Sequence, residues 1–301
     1  MHIPDGLLST PVWLGLDALG LPAVGWLARR AQRDTREAGV PLLGVMGAFV
    51  FAAQMINFPV APGASGHLIG SGLLTVTLGP APAAVVMTAV LALQALIFQD
   101  GGILALGANV FNMALAGVLV AHLCYRHFGG GRFRSAAVFL GAALSVFVAA
   151  ALALTELLLS GLAIPRTPLV VALGLFALTA AVEGGLTVAV VGALEKLNPG
   201  WVRAPQAAAR PALAGVLLAA LVLATGGALL ASSHPDSLER LIEQVGLGDR
   251  TRQWIASPLA DYRLPLVDSP WLAQAAAGLA GVVAVLAAGA LLGWWFRKRR
   301  A

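Results

Sequence analysis

The sequence predicts an all-α polytopic membrane protein: a seven-span body followed by a two-span C-terminal hairpin, with the N-terminus outside and the C-terminus in the cytoplasm. Three observations carry this. Only 11% of the 301 residues are charged and 59% are hydrophobic, whereas a soluble domain carries roughly 25% charged residues. Apolar runs reach or approach the ~20 residues that a spanning helix needs. The basic residues fall in short clusters between those runs, which is the pattern that orients a membrane protein. The net charge of +5 therefore describes loops at a bilayer, and no nucleic-acid partner is expected. A single cysteine, Cys124, excludes an intrachain disulfide and a cysteine-based zinc site.

Spans are expected near 11–28, 40–58, 67–80, 82–99, 102–123, 135–163, 169–194, 212–232 and 270–296. The third is short and holds Gly70, Gly72 and Gly79. Arg29, Arg30, Arg33 and Arg36 follow the first span, and Arg126, Arg132 and Arg134 follow the fifth. Lys196, Arg203 and Arg210 follow the seventh, and Arg297-Lys298-Arg299-Arg300 comes near the end of the chain. Placing all four clusters in the cytoplasm requires odd-numbered spans to run inward. Nine spans satisfy that parity and eight do not, so 67–80 is expected to cross. Residues 1–195 then form the body, 196–211 a Pro- and Gly-bearing cytoplasmic linker, and 212–301 the hairpin with an external loop over 233–269. Within that loop Leu238, Leu241, Ile242 and Val245 recur at helical spacing. Gly289 and Gly293, four apart, suit close helix packing. Trp13, Trp271 and Trp294-Trp295 fit interfacial belts.

Candidate chemistry begins at the first residues, Met1-His2-Ile3-Pro4-Asp5-Gly6. The α-amine, the His2 amide nitrogen and the His2 imidazole can close adjacent five- and six-membered chelate rings around one ion. His67, in Pro62-Gly63-Ala64-Ser65-Gly66-His67, can supply a fourth nitrogen. Such a set suits a tetragonal ion, Ni(II) or Cu(II). The competing reading is an unstructured lead-in to the first helix. Residues 1–10 have no positively charged n-region and no apolar h-region, so no signal peptide is expected. Initiator removal is disfavoured before a bulky residue such as His, which would leave the amine on Met1. Topology places Met1, His2 and His67 on the same, external face, while His122 and His127 lie at the cytoplasmic end. Pro4-Asp5-Gly6 suits a tight turn that folds the terminus back into the body.

Polar residues within spans are costly and mark candidate functional positions. Gln54, Asn57, Gln94, Asn109 and Asn112 fall near the external halves of their spans, where they either orient the ligands or bond between helices; Asn109 is the strongest candidate. Asp100, in the turn after the fourth span, is a candidate for attracting cations. Asp17, Glu156 and Glu183 receive no role.

The start MHIPDGLLS, the loop PGASGHLIG and the run LQALIFQDGGILALGANVFNM together resemble the CbiM/NikM substrate-specific component of energy-coupling-factor (ECF) transporters, ABC importers for cobalt and nickel. The resemblance covers residues 1 to about 195. The hairpin is similar to the small CbiN/NikN component, whose PDGLE and PLADY motifs read here Pro235-Asp236-Ser237-Leu238-Glu239 and Pro258-Leu259-Ala260-Asp261-Tyr262. The resemblance implies capture of Ni2+ or Co2+ as transported substrate, held by Met1, His2 and His67, with no organic cofactor. It also implies a location in the inner membrane, a transmembrane coupling (T) subunit and ATP-binding subunits as partners, and a loading or gating role for the hairpin. No Walker A motif is present, since neither Lys196 nor Lys298 precedes Ser or Thr. Two other classes remain open: a vitamin-type component with an aromatic pocket, and an intramembrane protease using Ser65 of Gly63-Ala64-Ser65-Gly66, which would need a general base within reach.

Overall fold

Each apolar run folds as a helix because a backbone in lipid must satisfy its own hydrogen bonds. The computed structural model describes residues 1–35, 39–198, 210–229 and 231–298. Arg36, Arg203, most of the expected linker, Arg299 and Arg300 lie outside the described residues. In order come α1 (Thr10–Asp34), α2 (Val40–Gln54), strands β1 (Asn57–Ala61) and β2 (Ala64–His67), then α3 (Ser71–Leu78) and α4 (Pro80–Phe98). There follow α5 (Leu106–Phe128), α6 (Arg134–Leu159), α7 (Arg166–Leu197), α8 (Arg210–Gly226), α9 (Ser237–Gln244) and α10 (Pro270–Lys298). Among the described residues six helices are long and apolar enough to span: α1, α4, α5, α6, α7 and α10. The chain is thus a multi-pass membrane protein, with α2 and α8 as shorter apolar helices.

Two expectations need correction. The segment 67–80 does not form a full span. Its helix α3 is eight residues long and buried throughout, about 12 Å at 1.5 Å per residue against ~30 Å of hydrocarbon. Gly79 ends α3 with φ 84° and ψ 164°. The chain then turns straight into α4, which packs back along α3. Where the charge parity asked for a crossing, the chain forms a short internal leg. The fold is also not purely α. The second expected span stops at Gln54, and β1 and β2 pair antiparallel with Asn57 opposite His67 and Phe58 opposite Gly66. Pro59 leaves no helix to continue there, and Gly63 at the tip has φ 69°.

The C-terminal helices α8 and α10 pack on α2 of the body. A Cβ on Gly289 would come within 2.6 Å of Gly44 Cα, so the small-residue spacing read from the sequence serves an internal contact. At one end of the bundle sit Arg30 beside Asp34 and the Arg134–Glu195 fork. At the other end meet the N-terminus, the β-hairpin, the α4–α5 loop and the loop carrying α9.

Candidate functional site

The N-terminal segment is threaded into that second end and is almost wholly buried: Met1 6%, His2 8% and Ile3 0% exposed. Three devices hold it. Asn109 grips the Ile3 backbone from both sides, accepting its N–H at 2.8 Å and donating to its carbonyl at 3.1 Å. Gly102 N–H donates to the same carbonyl at 2.9 Å. The Asp5 carboxylate accepts the amides of Ile103, Leu104 and Ala105 at 2.8–3.0 Å, at the start of α5 where orphan amides favour an anion. Gly6, at φ 93°, completes the expected turn. Asp5→Ala would strand three amides, and a loss of about 3 kcal/mol is expected. Thermal unfolding in detergent checks this, with Asp5→Asn expected to fall between the two.

His67 reaches the terminus from β2. Its Nδ1 lies 3.2 Å from the Leu68 carbonyl. A carbonyl only accepts, so Nδ1 carries the proton and Nε2 keeps its lone pair. That lone pair faces the Met1 amine at 2.7 Å. Close approach of the hairpin to α7 needs Gly66, whose Cβ would overlap Thr179. Glu183, fully buried on α7, accepts the Ile69 and Gly70 amides at 2.7 and 2.8 Å, fixing the turn that follows His67. The His2 and His67 rings lie parallel, 1° apart in plane and 5.5 Å between centroids. His2 Nδ1 sits 2.9 Å from Asp100 Oδ1, while Nε2 is buried without a hydrogen-bond partner.

The C-terminal loop closes the site. Asp236 contacts the Met1 amine directly and lies 3.5 Å from His67 Nε2. Burial pushes its carboxyl up, but the terminal ammonium beside it holds it well below the usual carboxylate range. Asp100 is likewise opposed by burial yet held low by His2. Tyr262 donates its hydroxyl to Asp100 at 2.6 Å. Its phenol is pushed up by burial and by the Asp100 charge.

The expected residues therefore meet. Met1, His2 and His67 are adjacent, and Asp100 touches His2. Gln94 donates to Tyr262 at 3.1 Å and to Gln54 at 2.8 Å, and Gln54 donates to the Ile69 carbonyl at 2.6 Å. Hydrogen bonds thus run unbroken from the His67 turn to Asp100 beside His2. Asn57 lines the same cavity of about 350 Å³, and its carbonyl accepts the Ser232 amide at 2.7 Å. Asp236, Tyr262 and Glu183 were not expected here. Ser65 donates to the His234 carbonyl at 2.7 Å, a group that cannot take a proton as a base would.

Residues 2–201 match the family described as the cobalt uptake substrate-specific transmembrane region, and residues 210–298 match the PDGLE domain. The chain is 35% identical over 298 residues to the fused nickel transport protein NikMN of Archaeoglobus fulgidus, covering 96% of this chain and 97% of that one. It is 43% identical over 146 residues to the cobalt transport protein CbiM of Thermosediminibacter oceani, covering 48% and 60%. The crystal structure of a truncated transition metal transporter superposes with a TM-score of 0.57 at 31% identity, over 65% of this chain and 99% of that chain.

Proposed function

Because the chain belongs to the cobalt uptake substrate-specific transmembrane family and carries a PDGLE domain behind it, we propose that it is the substrate-capture component of a nickel or cobalt importer, with the ion site at its own amino terminus. The ligands are the Met1 amine, the His2 amide and Nδ1, and His67 Nε2. In such a chelate the three terminal nitrogens are consecutive, so the fourth position lies opposite the amide and beside the amine. Neighbouring nitrogens about an ion at about 2.0 Å stand about 2.8 Å apart. The 2.7 Å between the Met1 amine and His67 Nε2 matches that edge, and this observation carries the reading.

The planar nitrogen set favours Ni(II), and the relative aligned along nearly the whole chain is named for nickel. We place the site outside an inner membrane. Arg29, Arg30, Arg33, Arg126, Arg132, Arg134 and Lys196 lie toward the opposite end of the bundle, as positive residues at a cytoplasmic face do. Having no Walker A motif, the chain would take its energy from a coupling subunit and ATP-binding subunits. The body and the C-terminal domain act on one site, the second closing over the first.

Calorimetry of the purified full chain against Ni(II) and Co(II) tests the reading. Both ions should bind, nickel more tightly, with affinity falling as pH drops, because the nitrogen ligands must be free of protons to bind. Absence of heat with either ion at pH 8 would overturn it.

A further inference from the structure

The four nitrogens leave Asp236 without a task. An aspartate that merely neutralised the terminal ammonium would be free to turn away once the amine released its proton to solvent and took the ion. Asp236 is not free. Its Oδ1 accepts the Leu238 and Glu239 amides at 2.7 and 2.9 Å, and Glu239 accepts the Asp236 amide at 2.9 Å, a reciprocal cap on α9. The preceding residues are tied to the β-hairpin: Ser65 N–H donates to the Pro235 carbonyl at 3.0 Å and Ser65 Oγ to that of His234 at 2.7 Å. With Oδ1 spent on the cap, Oδ2 is left facing the Met1 amine and His67 Nε2 together. The side chain is only 9% exposed, so a carboxylate held there needs a positive partner in every state of the site.

We propose that Asp236 Oδ2 is itself a ligand, an oxygen donor that the C-terminal domain adds above the nitrogen plane to make the site five-coordinate. The assignment rests on the terminal chelate proposed above. Ion entry then replaces the ammonium proton and the proton of the His2 amide; both leave to solvent, while the carboxylate releases none. A dication with one deprotonated amide carries a net charge of +1, which the Asp236 carboxylate offsets within the set of donors. The C-terminal domain thereby gains a chemical task, contributing a donor that the body lacks.

Asp236→Asn is the discriminating variant, because Asn caps a helix about as well as Asp while losing the anionic oxygen. The probe is Ni(II) added to the full chain, with affinity read by calorimetry and spin state by magnetic susceptibility. Four planar nitrogens give diamagnetic Ni(II), whereas a fifth donor gives a paramagnetic centre. Wild type should be paramagnetic. Asp236→Asn should be diamagnetic and bind at least about 100-fold more weakly, beyond the 10–100-fold typical of outer-shell partners. A diamagnetic wild type, or a variant unchanged in both readouts, overturns the assignment. His67→Ala run alongside separates the two failures. If it also binds like wild type, the terminal chelate itself is wrong; if it loses binding while Asp236→Asn does not, only the oxygen ligand falls.

Discussion

A single residue added ahead of Met1 is expected to abolish high-affinity nickel binding while leaving every native side chain in place. The extension turns the primary amine into a peptide nitrogen and carries the charge one residue onward. Room for it is lacking, since Met1 is only 6% exposed and its amine already meets His67 and Asp236. It also strips the partner from Asp236, and removing one member of a buried ion pair costs about 3–5 kcal/mol, equivalent to roughly 10²–10⁴-fold in an equilibrium constant. The loss of a ligand comes on top. Calorimetry with Ni(II) should show no saturable heat, and intact mass should confirm that Met1 is the first residue of the unextended protein. Unchanged binding with the extension intact would sink the terminal chelate outright. No ordinary surface site responds this way, because termini usually tolerate added residues.

The proposed ligand positions were legible because their chemistry is local. An imidazole at residue 2 lies beside the α-amine whatever the fold, and charge parity alone put His67 on the same face. Asn109 was legible for a related reason: an amide within an apolar run has to find a polar partner, and the incoming Ile3 backbone is one. Glu183 gave the same signal, an ionisable group inside a span. It was passed over because its partners are two backbone amides, which leave no trace in side-chain identity. Asp236 and Tyr262 were visible as motif residues, but their reach was not. Nothing in a capped loop helix says that its aspartate meets an amine 235 positions earlier. The β-hairpin was missed because Gly63, Ala64, Ser65 and Gly66 lack the branched and aromatic residues that mark strands. Small side chains are required there by the approach to Thr179, so the feature that permits the packing also hides the strand. The third span was misjudged because parity fixes direction and leaves depth open.

His67→Ala is the second large effect, and its pattern differs from that of the extension. In the proposed site the imidazole supplies the nitrogen that completes the plane opposite the His2 amide. Its loss is expected to weaken Ni(II) binding by more than about 100-fold, above the range for residues that only orient a ligand. Stability should suffer less than in the extended chain. The Met1 amine keeps Asp236, Glu183 keeps the Ile69 and Gly70 amides, and Asn109 keeps Ile3. The vacancy left by the ring is met at one edge by the parallel His2 ring. Unfolding without nickel should therefore stay close to wild type while nickel no longer raises the unfolding temperature, since a ligand stabilises only in proportion to its occupancy. His234→Ala provides the control: its side chain lies in the same loop region, yet the contact to Ser65 uses its backbone carbonyl, so nickel should stabilise that variant as it does wild type. Equal nickel-induced stabilisation of His67→Ala and wild type would remove His67 from the ligand set. Equal loss in His67→Ala and His234→Ala would instead move the ion outward, into the wider cavity lined by His234, Glu239 and Glu243.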